Sequence, residues 1–297
     1  MGSMSHLRTL SWSTWLGWQV ESNWANPWLF TLYLVVKPVT GSLMLVCMFY
    51  AADAAADSAF GRGVPKEFLP YVYVSNACYA LVGAVMFGMS SVVIADRESY
   101  RMLKFIFISP AEFATYFFGR GFAKAMEGIG GGVITILAGL ALPGIRDSLG
   151  FGHLSIGWLI AFLAVGFVML WSAGMLLASA VLNMNRSSMF LSEGIAGVVY
   201  FLSGVVFPLA ILPGWLKPVS LALPTTYWLE GMRRAILGAP PPESALGQSP
   251  LAGWSTGELF LATLASTVAL ATAAHLFHRW AVRRAWRNGK IEETTGM

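Results

Sequence analysis

The chain has 297 residues, of which 56% are hydrophobic, 13% aromatic and only 11% charged. Soluble domains carry about a quarter charged residues, so this is the composition of a membrane protein. Secreted disulfide scaffolds, disordered tails and nucleic-acid modules are excluded with it. The net charge of +4 has meaning mainly through where the cations sit, and the two cysteines, Cys47 and Cys78, lie in apolar blocks as small core residues.

Residues 7–25 come first. Trp12, Trp15 and Leu16 share a helical face with Arg8 and Gln19, which predicts a helix lying in the membrane interface. This stretch holds too many Trp, Ser, Gln and Glu residues for the apolar heart of a signal peptide. Insertion is therefore expected to use the first span itself.

Stretches of about 20 apolar residues mark spans, expected at 28–51, 68–94, 119–142, 157–182, 189–212 and 257–280. Pro38 should kink the first. Trp28, Trp158 and Trp280 fall at span ends, where an amphipathic ring prefers the headgroup layer, and Trp171 is the exception. The fold class expected is an all-α polytopic membrane protein, one transmembrane domain over residues 1–297.

Between spans two and three, residues 96–118 carry alternating charges (Asp96, Arg97, Glu98, Arg101, Lys104), then an apolar run closed by Ser109-Pro110. This reads as a short cytoplasmic helix with one wet face. Pro110 then suits the first turn of a second helix, with Glu112 favoured there by the dipole.

Charges inside spans are costly enough to be functional candidates. Lys37, Glu127 and Glu193 lie roughly 13, 12 and 6 Å from the cytoplasmic starts of their spans at 1.5 Å per residue. They either line an inward-facing vestibule, with Lys37 and Glu127 at a depth that lets them pair, or snorkel to the interface. Gly128 and Gly132 have the G-x-x-x-G spacing of close helix packing.

After span five, Pro208, Pro213, Pro218 and Pro224 break any continuous helix. The pieces stay apolar, so residues 207–237 are expected as short re-entrant helices in the outer leaflet, allowed where protein buries the broken backbone. Glu230 and Arg234 stand at i, i+4 with Arg233 at i+3, a favourable sense for pairing. His275 and His278 on the last span would need further ligands to hold a metal.

Orientation follows from lysine and arginine in the loops. Arg8, Arg97, Arg101, Lys104, Arg120, Lys124, Arg186, Arg279, Arg283, Arg284, Arg287 and Lys290 fall on the side of the termini. Half as many, Arg62, Lys66, Arg146, Lys217, Arg233 and Arg234, fall opposite. Both termini are expected in the cytoplasm of a multi-pass inner (plasma) membrane protein. No G-x-x-x-x-G-K-[ST], H-E-x-x-H or G-x-S-x-G occurs, so no catalytic, cofactor-binding or metal residues are assigned.

The stretch Leu202-Ser203-Gly204-Val205-Val206-Phe207-Pro208, then Pro213-Gly214-Trp215-Leu216, Pro218 and Leu223-Pro224-Thr225-Thr226-Tyr227 resembles the permease subunit of the type-2 ABC exporter family. Glu98, Leu103 and Ser109-Pro110 match the family's first cytoplasmic loop, whereas Tyr100-Arg101 stands where many members have Gly-Thr. The resemblance covers the whole chain. It implies a homodimer of permeases with two copies of a separate ABC ATPase, which binds the ATP and Mg. It also implies ATPase coupling through Arg97, Glu98, Arg101, Lys104, Ser109 and Pro110, and an outer gate at Pro208, Pro213, Pro218, Pro224, Glu230 and Arg234.

The cargo expected from an apolar, aromatic-rich interior is a lipophilic drug or lipid, with a lipid-linked glycan as the alternative. Membrane lipids are the other partners, and nucleic acid is not one. A polytopic membrane enzyme lacks convergent catalytic groups here. A secondary transporter would normally show inverted repeats.

Overall fold

A computed structural model describes residues 2–23, 26–109, 113–147, 153–184, 188–241 and 246–289. Every regular element among them is helical, with no strand. The chain begins with α1 (Gly2–Ser22), whose Trp12 and Trp15 are exposed and meet edge-to-face at 5.8 Å. Its other face is narrow: Ser13 is buried, and Gly17 lies close to Ala123.

α2 (Pro27–Phe60) opens with Asn26, whose side chain accepts from the Trp28 amide, and ends at Gly61 with φ 64°. It continues well past the expected end at residue 51, because the Ala-rich run after Tyr50 is strongly helix-forming. At 34 residues it is about 51 Å long and overruns a 30 Å hydrocarbon core. Asp53 accepts from the Val64 amide at 2.7 Å and ties down the return loop.

The second rod is α3 (Phe68–Val82), a π turn (Gly83–Phe87), α4 (Gly88–Ile94) and a second π turn (Ala95–Ser99). A short α5 (Leu103–Ile108) follows, then α6 (Phe113–Gly139). Gly128 and Gly132 on α6 face Leu81 and Ala77, where a Cβ would stand 2.9 Å from main-chain atoms. The G-x-x-x-G spacing therefore serves close helix packing.

The rest comprises α7 (Pro143–Arg146), α8 (Ile156–Leu182), α9 (Ser188–Leu202), α10 (Lys217–Leu221), α11 (Pro224–Leu237) and α12 (Thr256–Arg287). Ser255 and Glu258 form a reciprocal capping box at the start of α12. The main apolar core gathers α3, α8 and α11 around Trp228, Phe162, Met169 and Leu229.

Among the described residues four helical stretches are long and apolar enough to cross a bilayer: Trp28–Phe60, Phe68–Ser99, Ile156–Leu182 and Thr256–Arg287. α6 has the length, 27 residues, but carries Arg120, Lys124 and Glu127. α9 stops at Leu202 rather than the expected 212, leaving 15 residues or about 22 Å. The helix ends there because the chain turns through Gly204, φ 74°, ahead of Pro208.

Candidate functional site

The cytoplasmic-loop candidate is built on a buried polar base. In the second π turn the Tyr100 amide donates to the Ala95 carbonyl at 2.9 Å, and the Met102 amide donates to the Asp96 carbonyl at 2.9 Å. Such bulges are frequent at functional sites. Asp96 is fully buried, accepts from the Tyr116 hydroxyl at 2.9 Å and lies 3.6 Å from Arg120 Nη2.

Arg97 is only 3% exposed and points inward. Its guanidinium donates to the carbonyls of Met184 at 3.1 Å and Val181 at 3.5 Å, and to Glu98 at 3.1 Å. A cation thereby neutralises the negative end of α8. Arg97 is thus occupied within the chain and holds Glu98 beside it.

The outward face of the loop is different. Arg101 has φ 50°, a left-handed conformation that favours glycine, and it turns the chain into α5. Leu103 is buried as an anchor, while Arg101, Lys104, Tyr100, Phe105 and Ile108 are exposed. Lys104 Nζ stands 5.3 Å over the Phe105 ring. The Ser109 hydroxyl donates to the Ile106 carbonyl at 2.8 Å, and Pro110 and Glu112 lie outside the described residues.

A cavity of about 640 Å³ opens among α1, α2, the α3–α4 rod and α6. Lys37 and Glu127 both line it, together with Glu21, Asn76, Tyr79 and Lys124. The expected Lys37–Glu127 ion pair is not among the pairs of the described residues. Lys124 Nζ instead bridges Glu127 at 3.2 Å and Glu21 at 2.8 Å, because Lys124 stands three residues away on the same helix face. Lys37 donates to the Tyr33 hydroxyl at 2.9 Å. Glu193 is exposed on α9 and does not line this cavity.

In the proline-broken segment after α9 the prolines start pieces as well as breaking them. Pro208 precedes a short turn at Leu209–Ile211, the Pro213 carbonyl accepts from the Leu216 amide, and Pro218 and Pro224 stand in the first turns of α10 and α11. Nearly all of α11 is buried. Glu230 lies 3.0 Å from Arg234 Nε and 3.2 Å from Arg233 Nη2.

Arg233, absent from the expected gate set, donates to Ser75 at 3.0 Å and to the Gly204 carbonyl at 2.9 Å, and lies 4.1 Å over the Tyr71 ring. Arg234 donates to the carbonyls of Leu251 and Trp254. Ser203 and Thr225 share a hydrogen bond at 2.6 Å, and Ser220 donates to the Leu202 carbonyl. Sequence reasoning missed Arg120 and Tyr116, counting Arg120 only as a loop cation. The available signal was an arginine and an aspartate at the facing ends of two apolar helices.

A family model described as ABC-2 type transporter matches residues 6–237, well over half of the chain. The chain belongs to the ABC-2 type transporter family. A search of curated proteins finds no match. The family match runs from α1 to the end of α11, taking in both buried polar clusters, α5 and the cavity. This ABC-2 protein is accordingly a multi-pass membrane permease, the non-catalytic component of an ABC-type transporter whose family works with an ABC ATPase.

Proposed function

We propose that this permease forms a homodimer with two copies of a separate ATPase and exports a lipophilic compound or lipid. In this reading the chain crosses the membrane six times as one domain. α6 is the third crossing, α9 the fifth, and residues 207–237 form the re-entrant outer gate. Both termini and residues 96–118 face the cytoplasm of the inner membrane, as the lysine and arginine asymmetry favours. ATP and Mg belong to the partner chain, and this chain supplies no cofactor site.

The observation that carries the coupling role is the two-sidedness of the 96–109 loop. Asp96, Arg97 and Leu103 are buried, whereas Arg101, Lys104, Phe105 and Ile108 are presented outward. An exposed apolar pair with flanking cations on a rigid base suits a groove on a partner protein. Closure of the ATPases would push α5, and the push would pass through the Asp96–Arg120 contact into α6, which lines the cavity. Lys37 and Glu127 face the inward-open path, with Lys124 and Glu21 beside them. Glu193, exposed on α9, would reach the path only across the second copy.

Two measurements test this. In a cysteine-free background, Lys104→Cys and Arg287→Cys should resist impermeant thiol reagents in intact cells, whereas Arg62→Cys should react. Labelling at residue 104 from outside overturns the orientation. Charge reversal at Arg101 and Lys104 should abolish ATPase co-purification while leaving the folded yield of the permease, and unchanged co-purification overturns the docking role.

A further inference from the structure

A second cavity, of about 530 Å³, lies on the flank of α6, α8 and α12. Along α12 its lining extends from Ala271 to Arg283, roughly 18 Å at the helical rise. One end is apolar, with Trp171 and Ala271; the other carries Arg279 and Arg283, with His275 between, and all three polar residues are exposed. No acidic side chain lines it among the described residues. The neighbouring imidazole of His278 is already engaged with Ser179 at 2.9 Å and stacks on Phe113, so it serves as wall.

We propose that this groove binds one anionic phospholipid of the inner leaflet, its phosphate held between Arg279 and Arg283 and an acyl chain laid toward Trp171. The inference rests on reading α12 as a crossing whose Arg-rich end reaches the cytoplasmic headgroups. Arg279 and Arg283 are four residues apart and so share a face of the helix. Basic clefts between transmembrane helices on the cytoplasmic side have the chemistry for acidic headgroups, and a cation's attraction for the headgroup falls off with distance, so the arginines that line the groove count most. A zwitterionic headgroup would place its own cation beside two guanidinium groups. Most of the groove is on α12, outside the family match at residues 6–237.

The test is native mass spectrometry of the purified full chain. It is titrated with palmitoyl-oleoyl phosphatidylglycerol or with phosphatidylcholine of the same acyl chains. The expected result is one phosphatidylglycerol retained per chain in preference to phosphatidylcholine. Arg279→Gln/Arg283→Gln should weaken that retention about thirtyfold, the scale expected for losing two interfacial cations.

Arg284→Gln/Arg287→Gln is the control. These arginines do not line the groove, and Arg284 lies over Trp280 at 5.1 Å; retention should change less than about twofold. Ala271→Trp, which keeps both arginines and fills the apolar end, should also weaken retention. Equal retention of the two lipids, or unchanged retention in either groove variant, overturns the proposal. So does an equal loss in the control, or displacement of the lipid by millimolar glycerol phosphate, which would mark a free-anion site. No ATPase is present in the assay, so its failure leaves the transport reading standing, and thiol labelling reports on orientation separately.

Discussion

The two buried ionic clusters at opposite ends of this permease, outer and inner in the proposed orientation, are built differently. In the outer one, Glu230 faces two arginines, and those arginines also reach Ser75 and the carbonyls of Gly204, Leu251 and Trp254. In the inner one, Asp96 and Arg120 stand 3.6 Å apart and the Tyr116 hydroxyl donates to Asp96; two arginine nitrogens lack a hydrogen-bond partner in each cluster, Arg120 Nε and Nη1 here and Arg233 Nε and Nη2 in the outer one. Buried ions are costly unless paired and hydrogen-bonded. The outer cluster therefore has the character of a fastening that stitches α11 to α3 and to the loop before α12. The inner one, one carboxylate with one arginine and one tyrosine at the base of the loop that would meet the ATPase, is held by fewer contacts.

The largest expected effect comes from breaking the outer fastening. Glu230→Leu leaves Arg233 and Arg234 buried together without a counter-charge, which should cost on the order of 3–5 kcal/mol. Folded yield in membranes and thermal unfolding in detergent report it. Asp96→Asn keeps an acceptor for Tyr116 and orphans one cation, so its loss of stability should be smaller while ATPase capture falls. Should Asp96→Asn cost more folded protein than Glu230→Leu, the contrast between the clusters is wrong.

A smaller pair of changes sharpens the inner side. Tyr116→Phe removes one charge-assisted hydrogen bond to Asp96 and should cost about 1.5–3 kcal/mol, seen as a lower unfolding temperature. Arg101→Gly relieves a left-handed backbone worth about 1–2 kcal/mol, partly offset by glycine's larger unfolded-state entropy. It should leave the unfolding temperature equal or higher yet weaken ATPase capture. A drop in both would mean that Arg101 supports the fold rather than the partner.

The smallest effect concerns the cavity. A double-mutant cycle should give about 0.5 kcal/mol of coupling between Lys124 and Glu127, the scale of a partly exposed helical pair. Between Lys37 and Glu127 it should give none. Coupling of Lys37 to Glu127 above that of Lys124 would place the two side chains closer in the working state than they are here.

Much of the chain could be read without coordinates. Apolar content, the lengths of the apolar blocks and the proline spacing act through short-range physics: helix satisfies the backbone where water is absent, and proline cannot sit inside it. Composition thus determined a helical membrane protein and the proline spacing its broken segment, while the family resemblance came from the motif that starts at Leu202. Helix ends were less legible, as at Phe60 and Leu202, because local propensity and a turn at Gly204 decided them over a few residues.

Which charge meets which was decided only by the tertiary structure. Lys37 and Glu127 were matched by depth alone, but depth leaves rotation about the helix axis free, and Lys124 stood nearer. Arg97 sits in a run of charges in sequence and is buried in space, since the π turn rotates it toward the carbonyl end of α8. Arg233 joins Ser75 and Gly204, partners far off in the chain that no local spacing encodes. Periodicity reports one helix at a time, whereas an ion buried from water takes its partner from whatever helix packs against it.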